Sequence, residues 1–289
     1  MPVLLEKLSK EEAQTFGLVL LSSGIDHQAA KGAGGWVIRV NDDDAAPAAE
    51  LIRVYLHENR SFHPLRKRAV VEYPRTFSGL WGALVIISVH VAVVSGRDAG
   101  SFAEAYGSSA RHILSGEWYR CATSLLLHAD VVHLLGNSVG IAVFGTAVCS
   151  VMGWGVGWLM LLASGMLGNL ANAWFYQTGH LSIGASTTVF GAVGVLSAYQ
   201  FIHKIKVRGE RYQAFLPIAA GMALLAFLGA ARHSDIMGHL FGFMSGLALG
   251  MIYCFFVKQS LRWSYQIGAL LLAAAVLGGA WLFPIISGA

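Results

Sequence analysis

The chain has 289 residues, of which 55% are hydrophobic and only 12% are charged, and its formal net charge at pH 7 is +4. Ordinary soluble domains carry about 25% charged residues, so this composition excludes a typical soluble globular protein. The basic residues lie before the first apolar run and in short breaks between later runs, which argues against a nucleic-acid-binding surface. The three cysteines form no Cys-x-x-Cys pair, so no redox or zinc motif of that kind is present.

Residues 1–60 are predicted to form a small soluble α+β domain, followed by a basic linker over residues 61–75. Charged residues follow Met1–Leu5 at once, so we expect no cleavable signal peptide. The expected elements are, in order, a helix over Lys10–Ser22, two hairpin strands over Ile25–Ala30 and Trp36–Val40, and a helix over Ala45–Glu58. This domain carries no catalytic cluster, so we expect a regulatory or structural role for it.

Seven apolar runs of about 20 residues follow, each near the length that crosses a hydrocarbon core of roughly 30 Å as a helix. They cover about residues 77–95, 131–151, 154–176, 186–203, 213–231, 236–257 and 265–285. The sequence therefore predicts an all-α polytopic membrane protein, a helical bundle of seven spans behind the small α+β domain.

The distribution of lysine and arginine predicts how these spans are oriented. Basic residues cluster before the first span, after the fourth and after the sixth, and these three breaks share one side if the spans alternate. Because positive loops stay inside, we expect a cytoplasmic N-terminus and a multi-pass location in the inner (plasma) membrane. The second, fourth and sixth spans then enter from the outer side.

Polar residues of catalytic type lie at the outer ends of those three spans. Ser186 begins the fourth span, and His239 lies near the start of the sixth. A serine hydroxyl becomes a good nucleophile only when a base takes its proton, and histidine titrates in the right range. Taken alone, Ser186 could be a helix cap, and His239 could bind a carbonyl or mark a proton path.

The sixth span also carries a glycine series that would let another helix approach closely. The glycines recur every four residues, at Gly238, Gly242, Gly246 and Gly250. Small residues at such spacing form the usual contact faces between membrane helices. The same pattern is also found where glycines serve packing alone.

Acyl transfer needs hydrogen-bond donors for the developing oxyanion, and the second span offers two. His133 and Asn137 are four residues apart and share one helix face, and the backbone N–H of Ser186 is a third donor. His128 lies close by and could bind water in the same pocket. A metal site built on His128 and His133 is the alternative. Asp235 could orient His239, or it could cap the sixth helix.

In this order, the residues resemble the rhomboid intramembrane serine proteases over about residues 76–257. The nucleophile motif Gly-x-Ser-x-x-x-Phe-Gly is matched by Gly184, Ser186, Phe190 and Gly191, and the histidine motif His-x-x-Gly-x-x-x-Gly by His239, Gly242 and Gly246. Further matches are His128, His133 and Asn137 in the second-span pattern and Trp118 and Arg120 in the first outer loop. Thr187 and Gly238 depart from the family, which often has glycine and alanine at these places.

The resemblance implies a core of six spans, with residues 258–289 adding one further C-terminal helix. It implies a Ser–His dyad without an acidic third member, with Phe190 packed on the His239 ring and with His133 and Asn137 helping to hold the oxyanion. It also implies neither cofactor nor metal. The expected partners are single-span or multi-span membrane proteins within the lipid bilayer, and no nucleic acid.

The sequence therefore predicts an intramembrane serine endopeptidase that cleaves transmembrane segments near the outer face of the membrane. Two alternatives come from other functional classes. A catalytically silent relative would bind client helices, and a proton-coupled transporter would use the histidines as a relay. The intact Ser186 and His239 argue against the first, and the lack of a mid-span carboxylate argues against the second.

Overall fold

The computed structural model describes residues 1–32, 34–59, 76–95, 99–208, 211–228, 234–257 and 261–287. The chain divides into two compact units, Met1–Glu72 and Tyr73–Ala289, and each is described by itself. The predicted linker over residues 61–75 lies outside the described residues.

The N-terminal unit is a three-stranded antiparallel sheet with two helices. Its elements are β1 (Val3–Leu8), α1 (Lys10–Ser22), β2 (His27–Gly32), β3 (Gly35–Val40) and α2 (Ala45–Glu58). The strand order is β1-β3-β2, with Val3 opposite Arg39 and Leu8 opposite Trp36. Apolar residues from both helices and from β3 form its buried core, namely Phe16, Leu20, Ile38, Val40, Ala48 and Ile52.

Both predicted helices of this unit have the predicted bounds, and the hairpin strands are shifted by one or two residues. A capping box explains the sharp start of α1: the Glu12 amide donates to Ser9 Oγ, and the Ser9 amide donates to the Glu12 carboxylate. Strand β1 was not predicted. It exists because it pairs with β3, which lies about thirty residues further along the chain.

The second unit is almost entirely helical. Its longer helices are α3 (Ser78–Ser95), α4 (Ala99–Tyr106), α7 (Val131–Gly140), α8 (Thr146–Met152), α9 (Trp154–Tyr176), α10 (Ser186–His203), α11 (Leu216–Leu228), α12 (Ile236–Phe256) and α13 (Trp263–Ser287). Shorter elements are α5 (Ala110–Leu114), α6 (Arg120–Thr123), β4 (Ser108–Ser109) and β5 (Leu181–Ser182). A π-helical turn over Ile141–Gly145 joins α7 to α8, so that Val131–Met152 is one span.

Five helices of the described residues are long and apolar enough to cross a membrane: Ser78–Ser95, Val131–Met152, Trp154–Tyr176, Ile236–Phe256 and Trp263–Ile286. The prediction of a helical membrane protein with a small strand-containing N-terminal unit is confirmed. The two other predicted spans contain α10 and α11, which do not meet those criteria. Helix α10 has ten of its 18 residues buried against its neighbours, so it need not be as apolar as a lipid-facing helix.

Glycines allow α10 and α12 to approach until their backbones touch. A Cβ on Gly246 would overlap the carbonyl oxygen of Gly191, and one on Gly242 would overlap that of Thr187. A Cβ on Gly194 of α10 would likewise overlap the carbonyl oxygen of Phe243. Three glycines of the series, Gly242, Gly246 and Gly250, therefore face α10, the helix that begins with Ser186.

The C-terminal helix α13 is fixed to the rest of the unit by a buried glutamine. Gln266 Oε1 accepts hydrogen bonds of 2.9 Å from the amides of Gly155 and Val156, at the start of α9. Its Nε2 donates to the carbonyl oxygen of Met152, at the end of α8, over 3.0 Å. One side chain thus satisfies backbone groups that two helix ends leave without intrahelical partners.

We therefore expect Gln266→Leu to lower the free energy of unfolding by about 3 kcal/mol, because it leaves three buried backbone groups unpaired. Thermal unfolding in detergent measures the change. Gly268→Ala is the matched control on the same helix, since its new methyl group would meet no atom within 4 Å. Equal melting temperatures for wild type and Gln266→Leu would show that Gln266 does not anchor α13.

Candidate active site

Ser186 and His239 form a direct hydrogen bond. Ser186 is the first residue of α10, His239 lies in the first turn of α12, and Ser186 Oγ is 2.8 Å from His239 Nε2. The imidazole is buried, with 6% of its residue exposed. The ring of Phe190 lies against it at a centroid distance of 4.6 Å and an interplanar angle of 34°. The structure therefore brings together the proposed nucleophile, the proposed base and the expected aromatic neighbour.

The other ring nitrogen of His239 faces Ser234. Its Nδ1 is 3.3 Å from Ser234 Oγ, a distance suited to an N–H that donates to the hydroxyl. With the proton on Nδ1, Nε2 is left to accept from Ser186, as a base must. Ser234 immediately precedes Asp235 and was not singled out from the sequence.

Asp235 caps α12, which was one of the two roles considered for it. Its Oδ1 accepts from the Gly238 amide over 2.9 Å. Its Oδ2 is 2.9 Å from His180 Nε2 and accepts from Asn172 Nδ2. Burial alone would raise the pKa of this carboxyl, but the hydrogen bonds from His180 and Gly238 outweigh burial and lower it. The group is therefore a carboxylate that several donors hold in place.

His133 and Asn137 point at the segment that leads into Ser186. Gly184 has a φ of +133°, a conformation that favours glycine, and a Cβ there would lie 2.6 Å from His133 Nε2 and 3.3 Å from Asn137 Nδ2. Asn137 is buried, and its Nδ2 has no hydrogen-bond partner within the part of the chain that the structure describes. An unpaired buried amide donor next to the nucleophile segment is available to a substrate oxygen.

His128 belongs to a group of three neighbouring histidine rings. Its ring centroid is 5.2 Å from that of His133 and 6.3 Å from that of His90, which the sequence did not indicate. Burial, and then the proximity of His133, lower the pKa of His128 to about 4, so its ring is neutral at pH 7. Its Nε2 lies 3.5 Å from the Ala185 amide. Among the described residues no three His, Cys, Asp or Glu side chains are placed to hold a metal ion.

Trp118 and Arg120, which are predicted to lie in an outer loop, have different environments. Trp118 is 70% exposed, whereas the buried Arg120 donates to the carbonyl oxygens of Glu104 and Gly107 and to the Glu117 carboxylate. Burial works against ionisation of Glu117, but hydrogen bonds from Arg120 and Tyr119 lower its pKa overall. Arg120 therefore holds the folded shape of this loop through Glu104, Gly107 and Glu117.

The sequence is similar to a known domain family and to several curated proteins. A family model described as the Rhomboid domain matches residues 115–256. The putative rhomboid protease YdcA of Bacillus subtilis is 29% identical over 140 residues, which are 48% of this chain and 69% of that protein. Rhomboid protease GluP of the same organism is 28% identical over 185 residues, 61% of this chain and 35% of that protein.

One relative carries a different description. Inactive rhomboid protein 2 of Homo sapiens is 30% identical over 170 residues, which are 59% of this chain and 20% of that protein. The chain thus spans about two thirds of one of these three relatives and about a third or less of the other two. The matched domain contains both Ser186 and His239. This multi-pass membrane protein therefore carries a Rhomboid domain over residues 115–256.

Proposed function

We propose that the protein is an intramembrane serine endopeptidase that cleaves transmembrane segments of other membrane proteins. The observation that carries the proposal is the 2.8 Å hydrogen bond between Ser186 Oγ and His239 Nε2 inside a helical membrane unit. The names of the bacterial relatives support the reaction class. The active site would open to the outer side of the plasma membrane, as the distribution of basic residues predicts.

The reaction would proceed by acyl transfer. His239 Nε2 takes the proton of Ser186 as Oγ bonds to the carbonyl carbon of the substrate, and the carbonyl oxygen becomes an oxyanion. Asn137, His133 and the Ser186 amide would stabilise that oxyanion by hydrogen bonding. The imidazolium then protonates the leaving amine as the C–N bond breaks. Water, deprotonated by the same imidazole, attacks the acyl-enzyme and releases the new carboxyl end and Ser186.

The buried site also bears on the substrate. An amide within a helix is already hydrogen-bonded and shielded by its own side chains, so the substrate helix must unwind locally before Ser186 can reach it. We expect small or helix-breaking residues near the cleaved bond, because glycine and proline lower the cost of leaving the helix.

A serine-directed fluorophosphonate probe tests this function on the purified protein in detergent. Wild type should be labelled, Ser186→Ala should not, and His239→Ala should be labelled far more slowly. Labelling needs an activated serine and no substrate helix, so it separates a protease from a transporter or a silent client-binding relative. Absence of labelling in wild type, or equal labelling of Ser186→Ala, would contradict the proposal.

Asn137→Ala should lower kcat by about 10²-fold with little change in KM, because loss of one oxyanion donor acts on the transition state. Since Asn137 Nδ2 has no partner in the described part of the protein, stability should change little. Gly136→Ala is the control on the neighbouring residue, because its methyl group would meet no atom within 4 Å. Steady-state kinetics on a fluorogenic transmembrane peptide measures both, and an unchanged kcat for Asn137→Ala would exclude the role.

A further inference from the structure

Two side chains from separate segments meet at the carboxylate of Asp235, away from the reacting atoms. Asn172 comes from the last turns of α9, and His180 comes from the loop between α9 and α10. Both lie within 3 Å of Asp235 Oδ2, at 2.6 Å for Asn172 Nδ2 and 2.9 Å for His180 Nε2. Tyr176 stacks on the His180 ring at a centroid distance of 4.0 Å and an angle of 13°, which fixes the ring. We call Asn172, His180 and Asp235 the carboxylate clamp.

The carboxylate clamp joins the two segments that carry the dyad. His180 lies six residues before Ser186, and Asp235 lies four residues before His239. The carbonyl oxygen of Asp235 accepts from the His239 amide over 3.0 Å, so Asp235 contacts the first turn of α12 through its backbone as well as its side chain. On the other side, the His180 carbonyl accepts from the Ala110 amide, and Leu181–Ser182 pairs with Ser108–Ser109.

The clamp also explains why residue 238 is glycine, one of the departures from the family pattern. A Cβ on Gly238 would lie 2.6 Å from Asp235 Oδ2 and 3.3 Å from Asn172 Nδ2. Oδ2 is the oxygen that His180 and Asn172 share, so a methyl group at 238 would displace it from its donors. The clamp in this geometry therefore requires glycine at residue 238.

We propose that the carboxylate clamp positions His239 relative to Ser186, and that Gly238 leaves the space the clamp needs. The inference rests on the proposed protease function. Asn172, His180 and Asp235 are positioning residues, since they act through the backbone of α12 and the loop before α10. Small displacements of a reacting group can cost about 10²-fold in rate, so loss of the clamp should be visible in kcat.

The test compares Asp235→Asn, His180→Leu, their double variant and Gly238→Ala in detergent, with rates expressed per folded molecule. Each single variant should lower kcat and the fluorophosphonate labelling rate by about 10-fold or more, with KM within about twofold of wild type. The double variant should be little worse than either single one, because the residues act together. His180→Gln, which keeps a donor, should recover part of the rate.

Gly136→Ala is the control for Gly238→Ala, because its added methyl group has open space. The clamp variants could instead have a lower melting temperature but the same kcat per folded molecule as wild type. That result would show a purely structural role and overturn the inference. If the fold losses in kcat of His180→Leu and Asp235→Asn multiplied in the double variant, the two residues would act independently, and the inference would be overturned as well. Failure of wild type to cleave or label would instead contradict the proposed function itself.

Discussion

Replacement of His239 by alanine is expected to lower kcat by at least about 10³-fold, the largest effect of any single change outside Ser186. The reason is that Ser186 Oγ lies 2.8 Å from His239 Nε2, the imidazole nitrogen that is placed to take its proton. Residual activity would come from the oxyanion donors and from substrate binding alone. The measurement is single-turnover cleavage of a transmembrane peptide in detergent micelles.

His203→Ala provides the matched control for this variant. It removes a histidine from the far end of α10, 17 residues from Ser186, which is about 25 Å along the helix. Its kcat should stay near that of wild type. If His239→Ala kept a kcat within about tenfold of wild type, His239 would not be the base.

Gly246→Ala is expected to lower the free energy of unfolding by about 3 kcal/mol, the upper part of the range for overpacked sites. A methyl group on Gly246 would overlap the carbonyl oxygen of Gly191 and lie 2.9 Å from its Cα. Backbone atoms cannot turn aside as a side chain can, so α12 and α10 must separate. The hydrogen bond between Ser186 and His239 joins the same two helices. The proteolytic activity of Gly246→Ala should therefore fall along with its stability.

Gly278→Ala and Gly279→Ala are the controls, because both lie on α13 where an added methyl group meets no atom within 4 Å. Alanine is the better helix former by roughly 0.5–1 kcal/mol, so these variants should be as stable as wild type or slightly more so. Thermal unfolding and the yield of monodisperse protein report both effects. If Gly246→Ala and Gly278→Ala had the same melting temperature, the backbone contact between Gly246 and Gly191 would be contradicted.

Local sequence patterns predicted most helices of both units but not strand β1. The bounds of α1 and α2 follow from apolar periodicity and, for α1, from the Ser9 and Glu12 capping box, all of which are local. Strand β1 depends on pairing with β3, and no local pattern in residues 3–8 requires it. In the membrane unit, the local pattern predicted a span at α10. That helix is 18 residues long and carries several polar residues, which it can do because its neighbours bury ten of its residues.

The dyad could be predicted because the topology expected from the basic residues puts Ser186 and His239 at the same ends of two spans. The glycine series then predicted close contact between a helix carrying His239 and a neighbour, and the structure shows that neighbour to be α10. His180, Asn172 and Ser234 could not be found in this way. Each is a common polar residue in a loop or near a helix end, and its importance arises only from tertiary contacts with Asp235 or His239.

The most direct test of the account is cleavage of a single-span model substrate by wild type and by Ser186→Ala, both reconstituted into liposomes at equal folded concentration. We predict that wild type yields two fragments, with the cut near the outer end of the substrate helix and in a segment with small or helix-breaking residues. Ser186→Ala should yield none. Equal cleavage by both proteins, or no cleavage by wild type across substrates that vary in that segment, would contradict the assignment of Ser186 and His239 as a proteolytic dyad.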